Sequence, residues 1–320
     1  MRIDRIDPES FQLEEVKALL TRVDLDFEPF TILFAGYEQE KIVACGALDG
    51  NILKMFAVDP LYQELGYTDA ILAALLKEGS EQGHEDLFIF TKSEYKNHFH
   101  QGGFTLLADT GKVVLLHRGP HSPEAWLANH PARRKGVAAI VMNANPMTNG
   151  HLELVKQAAR ENFVLVFVVE ENRSDVPFAT RFTIVQETLK EMDNVQVLPS
   201  GPYIISSKTF PTYFMKAVNE RSREYAKLDA LLFKKYFVPF YGITKRYLGS
   251  EPMDLATAQY NETLLEILPP ECEVIIMDRL ETDDGKVISA SRVREAAKLG
   301  QLDAIKEVVP KATWEYLNDL

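Results

Sequence analysis

Cysteine is scarce: Cys45 and Cys272 are the only two in 320 residues. They lie far apart, with no metal-ligand spacing and no disulfide framework, so both are expected as buried thiols. Positive charge is also short, with 35 Lys and Arg against 47 Asp and Glu and a formal net charge of −12. A nonspecific nucleic-acid binder needs a basic footprint, which sets that class aside, but a nucleotide held in a local pocket is untouched by this argument. No apolar stretch approaches the roughly 20 residues of a membrane span. The N-terminal stretch MRIDRIDPESFQLEEVKALL is charged throughout and lacks the apolar core of a signal peptide. These absences lead us to expect a cytoplasmic protein with no membrane and no nucleic-acid partner. Internal repeats and low-complexity tracts are missing too. What is present is 46% hydrophobic residues, enough for a sizeable core and two domains.

The two halves differ in pattern. Residues 9–24 read as a helix, and TILFAGYEQEKIVACGALDGNILKMFAV as three strands, with Gly36, Gly46 and Gly50 at bends. A helix from Leu65, the strand DLFIFT, a helix in KSEYKNHFHQ, a strand after Gly102-Gly103 and the strand KVVLLHRG complete a mixed sheet. The polar, proline-bearing stretch 119–136 marks the junction, giving expected domains at 1–130 and 136–320. Beyond it, strands are expected at Val137–Met142, in FVLVFVVE and NVQVLPS, near 229–233 and near 272–277. Helices are expected at 150–160, 178–192 and 211–226, and 245–261 reads as a nucleotide or acceptor loop. Alternating strands and helices predict an α/β domain with a parallel sheet.

The chemistry concentrates in two places. AIVMNANPMTNGHLELVKQAA carries a buried strand into a tight turn and then a helix. Ligands of open parallel sheets sit beyond the carboxyl ends of the strands, where Thr148, Asn149 and Gly150 fall. Gly150 permits close approach by a phosphate, the first-turn N–H groups are available to bind it, and His151 stands in the same turn. The plainer alternative is an ordinary N-cap at Thr148 or Asn149 with His151 on the surface. In VISASRVREAAKLG, Ser289, Ser291 and Arg294 form a second anion site at a helix start, unless Ser291 is simply a cap with Glu295 reaching back. Together the two sites would hold both ends of a triphosphate.

The pair T-x-G-H at Thr148–His151 and I-S-x-S-x-x-R at Ile288–Arg294 resembles the signature of the nucleotidylyltransferase superfamily, which more often has histidine where Thr148 stands. The blocks GPYIISSKTFPTYFMK (201–216), FKKYFVPFYGITKRYLGSEP (233–252) and YNETL (260–264) narrow the resemblance to the citrate lyase ligases. The likeness covers essentially the whole chain, because that family also has an N-terminal acetyltransferase-like domain. There VDPLYQELGYT (58–68) is similar to an acyl-CoA-binding segment: Val58, Pro60, Gln63 and Gly66 match, while Thr68 departs where a smaller residue is usual.

The resemblance implies an α/β protein with an N-terminal GNAT-like mixed-sheet domain and a C-terminal Rossmann-like nucleotidylyltransferase domain built on a parallel sheet. It implies an ATP-dependent, AMP-forming ligase that activates acetate and acetylates a carrier thiol. The carrier is the acyl carrier subunit of citrate lyase with its phosphoribosyl-dephospho-CoA prosthetic group. His151 and Arg294 would be catalytic, and Asn143, Thr148, Gly150, Ser289 and Ser291 would bind ATP with them. Lys208 and Arg246 are reserve anion contacts, with solvated surface charge as the alternative. Val58, Gln63 and Gly66 would hold the acyl or pantetheine arm. Mg2+ would accompany ATP, held mainly by phosphates and water. Rival readings are a small-molecule nucleotidylyltransferase making a coenzyme precursor, an acetyl-CoA-dependent acetyltransferase, and a non-catalytic carrier-binding module.

Overall fold

The computed structural model describes residues 2–171, 173–206, 209–215, 217–250, 255–278 and 288–319. It divides into two compact units, one of Met1–Ser122 with Phe210–Glu224, the other of Pro123–Thr209 with Tyr225–Leu320. The division falls at Ser122, within the junction expected from composition, but it also assigns a late segment of the chain to the first unit.

The first unit carries β1 (Arg2–Arg5), α1 (Gln12–Arg22), β2 (Ile32–Glu38), β3 (Lys41–Asp49), β4 (Ile52–Val58) and α2 (Tyr67–Glu81). These are followed by β5 (Leu87–Lys92), α3 (Lys96–Gln101), β6 (Thr105–Asp109) and β7 (Val113–Arg118). The seven strands form one sheet in the order β1-β2-β3-β4-β5-β7-β6, antiparallel except for the β4–β5 pair. α2 buries Ile71, Leu72 and Leu75 against this sheet. Gly46, expected at a bend, lies inside β3 instead. A methyl there would come within 2.6 Å of Ile71 Cγ2, so the glycine serves close helix–sheet packing rather than a turn.

The second unit begins with α4 (Pro123–Ala128), then β8 (Val137–Met142), α5 (Asn149–Ala159), β9 (Val164–Val168), α6 (Phe178–Leu189) and β10 (Val195–Pro199). After α7 (Val218–Leu232), whose residues up to Glu224 belong to the first unit, and α8 (Val238–Tyr241) come β11 (Ile243–Gly249), α9 (Leu255–Ile267), β12 (Glu273–Met277), α10 (Ala290–Lys298) and α11 (Lys311–Asn318). Its five strands are all parallel, in the order β10-β9-β8-β11-β12. This is the Rossmann-like arrangement in which the chain winds one way from the first strand and then the other. It opens a crevice beside the carboxyl end of that first strand, β8. β9 is buried at every position, as a central strand covered on both faces must be.

Three expectations in this half fail. Residues 211–215 and 217 are not helical; the helix α7 starts at Val218. The apolar run near 229–233 is not a strand but the end of α7, continued through a π-helical turn at Phe233–Phe237 into α8. Leu228, Ala230, Leu232, Phe233 and Phe237 are all buried. Over so short a window a buried helix segment cannot be told from a buried strand. The third failure is 245–261, expected as a loop, where β11 runs to Gly249 and α9 starts at Leu255. The charges of Lys245 and Arg246 obscured that strand.

Candidate active site

A cavity of about 560 Å³ lies at the carboxyl end of β8. Asn143 and Thr148 reach its wall from the β8–α5 connection, Gly150 and His151 from the first turn of α5, and Ser289, Ser291 and Arg294 from the start of α10. The fold thus brings together the two motifs, which lie far apart in sequence.

Thr148 is the N-cap of α5, in extended conformation at φ −119° and ψ 166°. Its Oγ1 accepts the His151 N–H at 3.5 Å, and its own N–H donates to His151 Nδ1 at 3.0 Å. This is a capping box in which histidine takes the usual Glu or Gln position. Thr148 Oγ1 also lies 2.9 Å from Nδ1. Because Nδ1 receives the amide hydrogen, the single ring proton of a neutral imidazole belongs on Nε2, which makes that nitrogen a donor. Capping and functional readings of this turn are therefore not alternatives, since the cap itself orients the imidazole.

On the opposite motif Ser289, not Ser291, is the cap: its side chain accepts the Arg292 N–H at 3.3 Å. Ser291 Oγ instead accepts from Arg294 Nη2 at 3.0 Å. Arg294 Nη1 donates to the Asn145 carbonyl at 2.6 Å, and its Nε lies 3.3 Å from Asp175 Oδ2. Lys298, one turn further along α10, reaches Asp175 Oδ1 at 2.9 Å. The hydrogen bond from Lys298 and the charges of Lys298 and Arg294 hold the Asp175 carboxyl below the usual carboxylate range, against a smaller opposing effect of burial. Asp175 was not foreseen from the sequence, since nothing in the local pattern SDVPF marks it as an arginine partner.

Of the two reserve residues, Lys208 lies outside the described residues. Arg246 is 1% exposed and is not on the wall of this cavity. Its Nη2 donates to Tyr260 Oη at 2.7 Å and lies 3.5 Å from Asp229 Oδ2, while its guanidinium sits 4.2 Å from the Phe233 ring centre. It is a buried cation rather than a surface charge, and its partner Tyr260 does line the cavity.

In the first unit, β4 and β5 pair only at Ile52–Phe88 and Leu53–Ile89. Beyond those rungs a cavity of about 590 Å³ has Val58, Gln63 and Gly66 on its wall, so the fold brings these three residues together as well. Thr68 and Asp69 line it beside the start of α2. Tyr213 and Phe214, from the late segment, complete the wall. Tyr213 donates its hydroxyl to the Phe90 carbonyl at 3.3 Å, and its own carbonyl accepts the Asp26 N–H at 2.7 Å. These two aromatics were quoted in the sequence only as part of a family-like block, with no hint that they belong to the first unit.

Residues 137–317 match the family model of the citrate lyase ligase C-terminal domain. The [citrate [pro-3S]-lyase] ligase of Escherichia coli K12 is 34% identical over 98% of this chain and 92% of its own length. Its counterpart of the same name from Klebsiella pneumoniae is 35% identical over 88% of this chain and 85% of its own. The chain belongs to the citrate lyase ligase family. It is therefore an enzyme, and the match to the C-terminal domain of the citrate lyase ligases starts at Val137, the first residue of β8. Among solved structures, an acetyltransferase of the GNAT family from Staphylococcus aureus Mu50 aligns with 37% of this chain and 98% of its own, at 15% identity and a TM-score of 0.32.

Proposed function

We propose that this citrate lyase ligase consumes ATP and acetate, releases AMP and pyrophosphate, and leaves an acetyl thioester on the prosthetic group of the citrate lyase acyl carrier protein. The observation that carries the reading is the convergence of Thr148, Gly150 and His151 with Ser289, Ser291 and Arg294 on one cavity. Acetate is already a carboxylate near neutral pH, so attack on the α-phosphorus needs no general base. The work is to overcome repulsion between an anion and a polyanion, by positioning and by donors aimed at developing charge. His151 Nε2–H would donate to an α-phosphate oxygen as the carboxylate oxygen adds and the bond to the β-phosphate breaks. Arg294, Ser289 and Ser291 would hold the departing pyrophosphate, with the N–H groups at the start of α5 supplying further donors. Arg294 is engaged by Asp175 here, so triphosphate binding would exchange one anionic partner for another.

Among the described residues only Glu153 and Asp278 bring carboxylates to the cavity wall, which suits Mg2+ carried by the phosphates better than Mg2+ held in a protein cage. In the second step the carrier thiol adds to the acetyl carbon, AMP departs and the thiol proton is lost. We assign the cavity bounded by Val58, Gln63 and Gly66 to the arm that bears this thiol.

The test follows pyrophosphate and protein-bound thioester with Mg-ATP and acetate, propionate or no acid, with and without deacetylated citrate lyase. Acetate-dependent pyrophosphate matched by thioester, both lost in His151→Ala, is the expected result. Pyrophosphate without an acid requirement, or thioester made from acetyl-CoA without ATP, would overturn the reading.

A further inference from the structure

We propose that Arg181 is a positioning residue for the triphosphate, acting through main-chain atoms of the β8–α5 loop; the inference rests on the ligase reading above. Arg181 lies on α6, is 0% exposed and does not line the cavity. Its guanidinium donates to four carbonyls: Asn143 at 2.6 Å and Val169 at 3.0 Å from Nη1, Glu171 at 2.6 Å from Nη2, and Val176 at 3.0 Å from Nε. One of these lies in the loop that follows β8, and three lie in the loop that follows β9. A buried cation is costly unless its donors are satisfied, and this one is satisfied almost wholly by backbone, with the Glu171 carboxylate at 3.6 Å. The rigid fork therefore clamps together the two loops that border the crevice.

What is clamped is a backbone that would not hold its shape alone. Ala144 has φ +48°, the left-handed region that residues other than glycine seldom occupy. Its neighbours are pinned on both sides. Arg181 holds the Asn143 carbonyl, the Val176 N–H donates to Asn145 Oδ1 at 3.0 Å, and Arg294 holds the Asn145 carbonyl. Strained backbone persists where the surroundings over-determine it. Asn143 stands on the cavity wall, and its buried side-chain Oδ1 has no hydrogen-bond partner among the described residues, so a shift of this peptide moves a residue that borders the ligand space. Arg181 thus couples the spacing of two loops to the position of groups that would meet the phosphates.

Arg181→Lys tests this, because lysine keeps the charge but replaces the four-point fork with one ammonium. Folding would be followed by thermal melting, and kcat and KM for ATP and for acetate by acid-dependent pyrophosphate release in the cold. We expect R181K to stay folded there and to lose about 100-fold in kcat/KM for ATP, the cost of roughly an ångström of misplacement. A purely structural role predicts a lower melting temperature with wild-type constants for the folded protein, and that outcome overturns the proposal. If R181K does not fold, the same kinetics on Asn145→Ala, which severs the Val176 tie and leaves Arg181 in place, decide it. Unchanged constants overturn the clamp, and a fall in kcat/KM supports it. Wild-type protein that releases no acetate-dependent pyrophosphate removes the ligase reading and this inference with it, whereas an active wild type beside an unaltered R181K removes the inference alone.

Discussion

Replacing Gly150 by alanine should separate binding from folding, with opposite signs. Gly150 is the second residue of α5 and is not among the glycines with positive φ. A methyl there would find Thr148 Oγ1 at 3.5 Å and the Ile288 carbonyl at 3.6 Å, both ordinary contacts, so the fold itself does not require glycine. Alanine is favoured over glycine by about 0.8–1.0 kcal/mol inside a helix, and we take about 0.5 kcal/mol for the first turn. That corresponds to a rise in melting temperature of roughly 1–2 °C for a unit of this size.

The added carbon projects about 1.5 Å from the backbone into the space between the two motifs. Phosphate oxygens seated on the N–H groups at the start of α5 would be displaced by about 1 Å, a shift that costs on the order of 100-fold in rate. In free energy this is about 2.7 kcal/mol of lost transition-state stabilisation. Thermal melting and acetate-dependent pyrophosphate release on the same preparation read both effects. A variant that melts lower, or one that keeps its kcat/KM for ATP, would refute the argument that the glycine is there for the ligand.

Other outcomes follow from the same structure. Arg246→Met should lower the urea midpoint, since it strands the buried Asp229 carboxylate at a cost of about 3–5 kcal/mol; a raised KM for ATP without loss of stability would show instead that Arg246 meets the nucleotide. A fragment ending at residue 130 should be unfolded or barely stable. It lacks Phe210, Tyr213 and Phe214, buried in the first unit and worth about 2 kcal/mol each, against a total stability of about 5–15 kcal/mol. Cooperative melting of that fragment, unimproved by a peptide spanning 209–224, would contradict this. Burial pushes the Cys45 and Cys272 thiols up to about 12 and about 11. Near pH 8 only about one Cys272 thiol in a thousand would then be ionised, against about one in four for a free thiol. Iodoacetamide should therefore spare both cysteines in the folded protein and label both in denaturing urea; rapid labelling of either in the fold would show that the site is open.

The α/β character, the buried strand before Thr148-Asn149-Gly150-His151 and the second anion motif were readable from the sequence because each is local. A strand buried on both faces shows as an unbroken apolar run, and an anion site at a helix start needs only consecutive residues. The pairing of the two motifs was expected because together they suit the two ends of one triphosphate, the family likeness agreed with it, and the parallel sheet brings them to one cavity. Tertiary structure alone placed Tyr213 and Phe214 in the first unit, turned Arg246 inward to Asp229 and Tyr260, and set Asp175 against Arg294. Each of these joins residues far apart in the chain, so it leaves no periodicity or spacing to read. For a charged residue such as Arg246 the deciding quantity is whether a partner is buried with it, and only the packed fold supplies that partner.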